Sequence, residues 1–271
     1  MIVVGERING MFKNVRQAIQ ERDAAVIQDL AQRQLAEGAD LLDINVGTAT
    51  ADPVGAMRWL VETVRKVTNA PLSIDSPNFE TLKAGLEACT GGKMINSTTG
   101  QEAALDRFLP LAREHDAAIV ALCIDEKGVP VNVEGRCEIA LRVVAKALEH
   151  GLPVDRLFID PIVLPVKADQ KGPAMVLESI RQFSVISDPP PHIIVGLSNL
   201  SQGAVDRKLI NRTFLAMAVG AGLDAAILDP LDTELMDAMI AAEVLMNRAI
   251  YSDSFLKAYR QKARAASSAT A

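Results

Sequence analysis

Eight short apolar runs alternate with longer stretches of helical periodicity, and this alternation restricts the fold more than any other feature of the sequence. The runs cover residues 2–4, 41–46, 72–75, 94–97, 119–124, 157–160, 193–198 and 225–229. Strands that alternate with helices form parallel βαβ units, and eight such units favour a closed barrel over an open sheet. We therefore predict the α/β class and a TIM (β/α)8 barrel. One barrel domain is expected over residues 1–262, followed by a flexible, small and polar C-terminal tail over residues 263–271.

Local signals indicate where individual elements begin and end. Asp52 before Pro53 predicts the N-cap and first residue of a helix. Asp40 occupies a position typical of a helix cap. Gly5 and Gly10 are predicted to allow a tight turn after the first strand. One buried helical stripe is predicted from the spacing of Ile27, Leu30, Ala31 and Leu35.

Acids and amides follow nearly every predicted strand. They are Glu6 and Asn9, Asp43 and Asn45, Asp75, Asn96, Asp125, Asp160, Asn199 and Asp229. In a (β/α)8 barrel the C-terminal ends of the strands form the mouth that carries the active site, so these groups are expected to converge there. Such a set suits a flat heterocycle rich in hydrogen-bond donors, for example a pterin, because one carboxylate can accept an amino group and a ring N–H side by side.

Three other interpretations of these strand-end residues stay open. Any single aspartate can cap the following helix. Asp125 and Asp229 can be solvated acids of surface loops. Clustered carboxylates also bind magnesium, although no other feature of the sequence requires a metal, and we predict none.

Composition and charge exclude several classes of function. The net charge of -6 argues against nucleic-acid and anionic-membrane partners, which require basic surfaces. No apolar run reaches 18 residues, and the first residues are typical of a strand rather than a signal peptide. The three cysteines have no Cys-x-x-Cys spacing, so we expect reduced thiols in a cytoplasmic protein. All three histidines are predicted at the end of the barrel opposite the mouth, which disfavours histidine catalysis.

Several segments, in order and at compatible spacing, resemble the methyltetrahydrofolate:corrinoid methyltransferases over nearly the whole chain. The most similar members serve a corrinoid iron–sulfur protein in acetyl-CoA synthesis. The folate domain of cobalamin-dependent methionine synthase and dihydropteroate synthase are more distant relatives. The segments that carry the resemblance are residues 5–10 (GERING), 43–47 (DINVG), 73–76 (SIDS), 94–97 (MINS), 158–161 (FIDP), 196–199 (GLSN), 210–214 (INRTF) and 222–227 (GLDAAI).

The resemblance implies a role for particular residues. It implies that Asn199 is the catalytic residue, close to N5 of the pterin, and that Arg207 lies on a loop after the seventh strand, over residues 200–209. The remaining residues implied for the pterin site are Asp75, Asn96, Asp160, Gly196, Ser198 and Gln202, together with Asp43 and Asn45 of the second-strand motif.

The resemblance also implies the reaction and the partners. Methyltetrahydrofolate would donate its N5-methyl group to Co(I) of a corrinoid, a cobalamin-type cofactor. No cofactor would be bound permanently, because no corrinoid-binding motif is present and the corrinoid would arrive on a partner, the corrinoid iron–sulfur protein. A homodimer is expected as well.

Three alternatives to this reaction remain. The first is a methyltransferase for another corrinoid protein, such as one from ether demethylation. The second is a dihydropteroate synthase-like pterin enzyme, although the place where that family carries a Thr-Arg-Pro-Gly-like motif reads TATA over residues 48–51, without arginine. The third is a module that binds folate or a partner without chemistry.

Overall fold

Eight parallel strands close into a barrel in the computed structural model, which describes residues 1–261. Each strand pairs with the next along the chain, and the last pairs with the first. The predicted TIM (β/α)8 barrel is therefore confirmed, whereas the predicted flexible tail over residues 263–271 lies outside the described residues. The strands are β1 (Ile2–Asn9), β2 (Leu41–Asn45), β3 (Leu72–Asp75), β4 (Lys93–Thr99), β5 (Ala117–Leu122), β6 (Leu157–Asp160), β7 (His192–Gly196) and β8 (Ala225–Leu228).

Helices surround the barrel, and the first connection holds two of them. They are α1 (Lys13–Glu21), α2 (Ala24–Ala36), α3 (Pro53–Arg65), α4 (Phe79–Ala88), α5 (Glu102–Glu114), α6 (Val133–Glu149), α7 (Gly172–Phe183), α8 (Arg207–Ala221) and α9 (Thr233–Leu245). The predicted stripe of α2 is buried, as its spacing requires. The Asp52 side chain accepts a hydrogen bond from the Gly55 N–H, which confirms the predicted cap of α3. Among residues 1–261, no helix is long and apolar enough to cross a membrane.

Strand β1 is longer than predicted, and this changes the role of Gly5. The strand runs to Asn9, so Gly5 lies inside it rather than in a turn. A Cβ atom at Gly5 would come within 2.5 Å of Oε1 of the buried Gln34, and that oxygen accepts a hydrogen bond from the Arg7 N–H. Gly5 therefore leaves room for a glutamine that bridges α2 to the strand.

Gly10 permits a close backbone approach at the end of β1. A Cβ atom there would lie 1.9 Å from the Val46 carbonyl oxygen, a distance that no side chain tolerates. Gly47 sits directly opposite with a positive φ of 58°. The chain segments that follow β1 and β2 are consequently in direct backbone contact.

Asp40 does not cap a helix, contrary to the prediction. Its side chain accepts a hydrogen bond from the Val3 N–H, and its own N–H donates to the Val3 carbonyl. Asp40 thus fastens the segment before β2 to the beginning of β1, at the end of the barrel opposite the mouth.

The barrel interior is apolar in its lower part, away from the mouth, and polar in its upper part, next to the mouth. Its lower part contains Val4, Met94, Ala118, Val120, Phe158, Ile194 and Ala225. Side chains of a strand alternate between the two faces, so the residue two positions further along the strand points inward one layer higher. Two positions after Val4, Met94 and Phe158, the chain carries Glu6, Asn96 and Asp160. The geometry of the strands therefore places a polar layer on top of the apolar one.

Candidate active site

Strands β2, β3 and β4 hold one group of hydrogen-bonded polar side chains. The buried Asp43 Oδ1 accepts hydrogen bonds from Ser73 Oγ at 2.7 Å and from Asn96 Nδ2 at 3.0 Å. The Asn45 side-chain amide donates to the Asp75 carboxylate. The pairing of the strands places Asp43 beside Ser73, and Asp75 between Asn45 and Asn96. The structure thus brings four predicted site residues into one contiguous group.

The two carboxyl groups of this cluster are electrostatically unusual. Burial raises the pKa of both Asp43 and Asp75, and the neighbouring charge of Asp43 raises the pKa of Asp75 further. The amide of Asn96 and the hydroxyl of Ser73 oppose the shift at Asp43 by donating to its carboxylate. Two negative charges on this pair are therefore unfavourable in the neutral pH range.

Asp160, at the end of β6, lies in a third buried position. Its Oδ1 accepts from the Ile162 N–H at 2.7 Å, and Ile162 adopts φ = 65°, an uncommon conformation for a β-branched residue. Burial raises the pKa of Asp160 to about 7, against the opposing effects of the backbone N–H groups of Ile162 and Gly196 and of the Arg136 cation. Arg136 itself is almost fully buried, and its Nη1 has no hydrogen-bond partner among residues 1–261.

Glu6, from β1, faces the same mouth, as its position after the first apolar run predicted, but it was not among the residues implied for the pterin site. The Ser198 hydroxyl donates to Glu6 Oε1 at 2.6 Å. Beside it, Arg7 and Asp229 form an ion pair at 3.4 Å, so Asp229 is not an isolated loop acid. The sequence did contain a signal for Glu6, because a charged residue two positions after a buried valine points into the barrel.

A cavity of about 520 Å³ opens beside Glu6. Its wall includes Glu6, Asn9, Ser198, Asn199, Arg207 and Asp229. Burial raises the pKa of Glu6 to about 7; the Ser198 hydrogen bond and Arg7 oppose this shift, whereas Asp229 and Asp43 add to it. The charge of Asp43 thus acts on Glu6 from the neighbouring strand β2.

Asn199 ends a short 3-10 turn that follows β7, and its side chain is exposed. Within residues 1–261 this side chain forms no hydrogen bond. A Cβ atom at Gly196 would lie only 2.9 Å from its Nδ2. Gly196 therefore leaves space for the Asn199 amide. The exposed Gln202 follows, and its N–H donates to the Asn199 carbonyl at 3.2 Å.

Arg207 is the first residue of α8, so the predicted loop is shorter than residues 200–209. Its Nε donates to Ser201 Oγ at 3.1 Å and its Nη2 to the Ser198 carbonyl at 3.2 Å. These bonds tie the helix to the turn that carries Asn199. Asp125, by contrast, lies three residues beyond β5, in a small turn closed by two backbone hydrogen bonds with Gly128. It belongs neither to the polar side chains of β2–β4 nor to the cavity wall.

The histidines and cysteines lie away from this mouth or make no metal site. His192 begins β7, and His115 and His150 follow the last turns of α5 and α6, as predicted. All three cysteines are free. Among residues 1–261, no group of three or more histidine, cysteine, aspartate or glutamate side chains is arranged to hold a metal ion.

Comparison with known families assigns the chain. The family model of pterin-binding enzymes matches residues 9–229, a range that includes the polar residues at the ends of β2, β3, β4 and β6 but not Glu6. This chain belongs to the pterin-binding enzyme family. The membership agrees with the barrel and with the acids and amides at its mouth.

Individual relatives of this pterin-binding enzyme refine the comparison. The chain is 34% identical over 266 residues to the methylcorrinoid:tetrahydrofolate methyltransferase of Eubacterium limosum, covering 96% of this chain and 97% of that one. It is 32% identical over 240 residues to methionine synthase of Mycobacterium tuberculosis, covering 84% of this chain but 20% of that longer protein. The solved structure of Yersinia pestis DHPS with a pterine-sulfa conjugate superposes with a TM-score of 0.64 at 16% identity, covering 91% of this chain and 94% of that one, a likeness of fold alone.

Proposed function

We propose that this enzyme transfers a methyl group between N5 of a tetrahydrofolate and the cobalt of a corrinoid carried by a partner protein. The observation that carries the proposal is the polar layer of the barrel mouth, where buried carboxyl groups end β2, β3 and β6 and where Glu6 and the exposed amide of Asn199 line one cavity. The likeness to a full-length relative named for a methylcorrinoid and tetrahydrofolate supports it.

The pterin ring would bind to the carboxyl groups of the inner layer. In this proposal Asp75, Asn96 and Asp160 form hydrogen bonds with the ring. Asn45 holds Asp75 in position, and Asp43 holds Asn96. A carboxylate has about four acceptor positions, so Asp160 keeps capacity for ligand donors besides its backbone bonds. Because burial raises the pKa of these carboxyl groups, a protonated one can also donate to an acceptor of the ring.

Asn199 would act on the reacting nitrogen. A methyl group on a tertiary amine transfers poorly, because the nitrogen would have to leave as a strongly basic anion. Protonation of N5 lets it leave as a neutral amine. The carbonyl oxygen of Asn199 can accept a hydrogen bond from the protonated nitrogen and stabilise that state. Gly196, Ser198, Gln202 and Arg207 would line this side of the site.

The partner is proposed to be a corrinoid iron–sulfur protein of the reductive acetyl-CoA pathway, with methyltetrahydrofolate as donor and no permanently bound cofactor. The transient partner would dock over the mouth of a cytoplasmic, homodimeric enzyme. The name of the Eubacterium limosum relative describes the opposite direction, from methylcorrinoid to tetrahydrofolate. That direction favours, as a second candidate, another corrinoid protein that first receives its methyl group elsewhere, as in ether demethylation.

The half-reaction is tested with methyltetrahydrofolate and reduced cobalamin, by following the absorbance of Co(I) in single-turnover experiments. We expect the wild type to remove this band, and Asn199→Ala to lower the rate constant about 10–1000-fold, the effect of one lost transition-state contact. Asn69→Ala, an exposed asparagine at the other end of the barrel, should match the wild type. A wild type that leaves the Co(I) band unchanged would contradict the proposed reaction, and an unchanged rate in Asn199→Ala would remove Asn199 from it.

A further inference from the structure

We infer that Glu6 is the acid that delivers a proton to N5 of the folate as the methyl group departs, and that its carboxylate takes the proton back in the reverse direction. This inference rests on the proposed function, which leaves the source of that proton open. It concerns a residue of β1 that lies in the wall of the same cavity as Asn199.

The position of Glu6 relative to Asn199 is the first support. The Glu6 carboxyl group is bonded to the Ser198 hydroxyl at 2.6 Å, and Ser198 precedes Asn199 in the same short turn. A group that reaches Asn199 through the cavity therefore also comes within reach of Glu6, directly or through one water molecule.

The hydrogen-bond partners distinguish Glu6 from the other buried acids. Asp75 accepts from the Asn45 amide and Asp160 from backbone N–H groups, whereas Asp43 accepts from the Asn96 amide as well as from the Ser73 hydroxyl. Amide and backbone N–H groups are obligate donors, so these acids lose a partner when their bonded oxygen is protonated. A hydroxyl donates or accepts, so Ser198 can turn and accept from protonated Glu6. Glu6 therefore keeps a hydrogen bond in both protonation states.

The charged groups around Glu6 are balanced. Arg7 of β1 pairs with Asp229 after β8, and Asp43 of β2 faces Glu6 from the neighbouring strand. The first turn of α8 adds Arg207 and Lys208 to the cavity wall, and Asp232 pairs with Lys208. With burial as the largest effect, the pKa of Glu6 rises to about 7, so both the acid and its conjugate base are present near neutral pH. A general acid is most effective under this condition.

The proposed step conserves atoms and electrons. The Glu6 carboxyl proton moves to the lone pair of N5, which becomes an ammonium nitrogen. The electron pair of Co(I) then forms the bond to the methyl carbon, and the C–N5 bond breaks with its electron pair returning to N5. The products are methylcobalt, formally Co(III), neutral tetrahydrofolate with N5–H, and the Glu6 carboxylate, which regains a proton from solvent.

The test compares Glu6→Gln and Glu6→Asp with the wild type in single-turnover transfer from methyltetrahydrofolate to Co(I) cobalamin between about pH 5.5 and 8.5. Glutamine has nearly the same shape and no acidic proton, so we expect the rate constant to fall about 100-fold. The wild-type rate should level off below about pH 7, where Glu6 is protonated. In Glu6→Gln that bend should be absent, with a rate that keeps rising with acidity. Glu6→Asp should restore the bend at a reduced rate.

Two controls keep the outcomes separate. Glu62→Gln, on the exposed face of α3, should behave as the wild type. Methyltetrahydrofolate affinity, measured by calorimetry, should stay within about threefold in Glu6→Gln, since the loss concerns the chemical step. A wild-type rate with the same bend in Glu6→Gln overturns the role of Glu6, and so does loss of folate binding without a change in the bound-state rate. Failure of the wild type itself to bind folate or react with Co(I) would instead contradict the proposed function.

Discussion

The raised pKa of a single carboxyl group at the barrel mouth affects the free energy of unfolding of this protein. The pKa of Glu6 lies near 7 in the fold, against 4.5 for the free group. A group whose pKa rises on folding stabilises the protein below its unfolded pKa, and this contribution is lost as the pH rises through the folded pKa. The protein thus carries acids at its mouth whose ionisation at neutral pH weakens the fold.

The first prediction concerns this loss of stability. A shift from 4.5 to about 7 corresponds to about 3 kcal/mol. We expect the unfolding free energy of the wild type to fall between pH 5 and pH 8, and that of Glu6→Gln to fall less by about 2–3 kcal/mol. Denaturant titrations at both pH values measure the difference. If the two proteins lost equal stability over this range, Glu6 would have an ordinary pKa in the fold.

The second prediction concerns Asp160. Replacing it by alanine removes the acceptor of the Ile162 N–H and of the proposed pterin donors. Methyltetrahydrofolate binding should weaken by about 1–3 kcal/mol, and Asp160→Asn, which keeps one acceptor oxygen, should lose less. Equilibrium titration of the folate measures both affinities, and wild-type affinity in Asp160→Ala would contradict the pterin pose.

The sequence predicted which residues lie at the mouth wherever a residue directly ends a strand. Asp43, Asn45, Asp75 and Asn96 were all expected at one rim, and the structure groups them. Glu6 was expected at the mouth too, but its hydrogen bond with the Ser198 hydroxyl, which is 192 residues away in the chain, was not. A contact between residues so far apart in sequence leaves no local pattern.

At the scale of strands and helices, the alternation of apolar runs predicted all eight strands but not all their lengths. The end of β1 was placed too early because Glu6 and Arg7 interrupt the apolar run, although the ladder continues to Asn9. The start of α8 at Arg207 was missed as well. Its N-cap residue, Asp206, is of a type common at N-caps, but it is left-handed and within residues 1–261 its side chain makes no cap hydrogen bond.

Asp224 connects three strands at the end of the barrel opposite the mouth. Asp224 accepts from the Ile193 N–H and pairs with His192 Nδ1, both at 2.7 Å, and its carbonyl accepts from the Ile2 N–H. It therefore connects β7 and β8 to β1. The hydrogen bond to Asp224 raises the pKa of His192, against the opposing effect of partial burial.

The third prediction tests this connection. Asp224→Ala should lower the unfolding free energy by about 1–3 kcal/mol, because the Ile193 N–H loses its acceptor. The loss should be larger at pH 6 than at pH 8.5, since a raised histidine pKa stabilises the fold at low pH and not above the folded pKa. Urea titration measures both. Asp29→Ala, an exposed acid paired with Arg33, should change little, and an equally small effect in Asp224→Ala would contradict its role in closure.

Considered as a whole, the molecule exposes apolar side chains around its mouth. Val131 precedes α6, and Val205 and Leu209 lie at the start of α8; Val131 is 88% exposed. Isolated apolar residues at a surface are common, but these three lie in or next to the connections that follow β5 and β7, on the side of the mouth. In the proposed function they would contact the partner protein.

The fourth prediction concerns docking. Val131→Glu should slow transfer to a corrinoid bound to its partner at least about tenfold, whereas transfer to free cobalamin should stay unchanged. Val185→Glu, at an exposed valine after α7 on the other end of the barrel, is the matched control and should affect neither reaction. Equal slowing of both acceptors by Val131→Glu would indicate a disturbed site rather than a lost contact surface.

The contact of Gly10 with the Val46 carbonyl has a consequence for how the mouth adapts to its ligands. The chain segments that follow β1 and β2 cannot move apart without breaking this backbone contact, which is too close for any side chain at residue 10. The turn after β7 is held instead by side-chain hydrogen bonds of Arg207 and Ser198 and by one backbone hydrogen bond between Val166 and Leu200. We therefore expect the rim to be asymmetric in stiffness, with adjustment to a bulky macrocycle or a longer folate confined to the arc after β7.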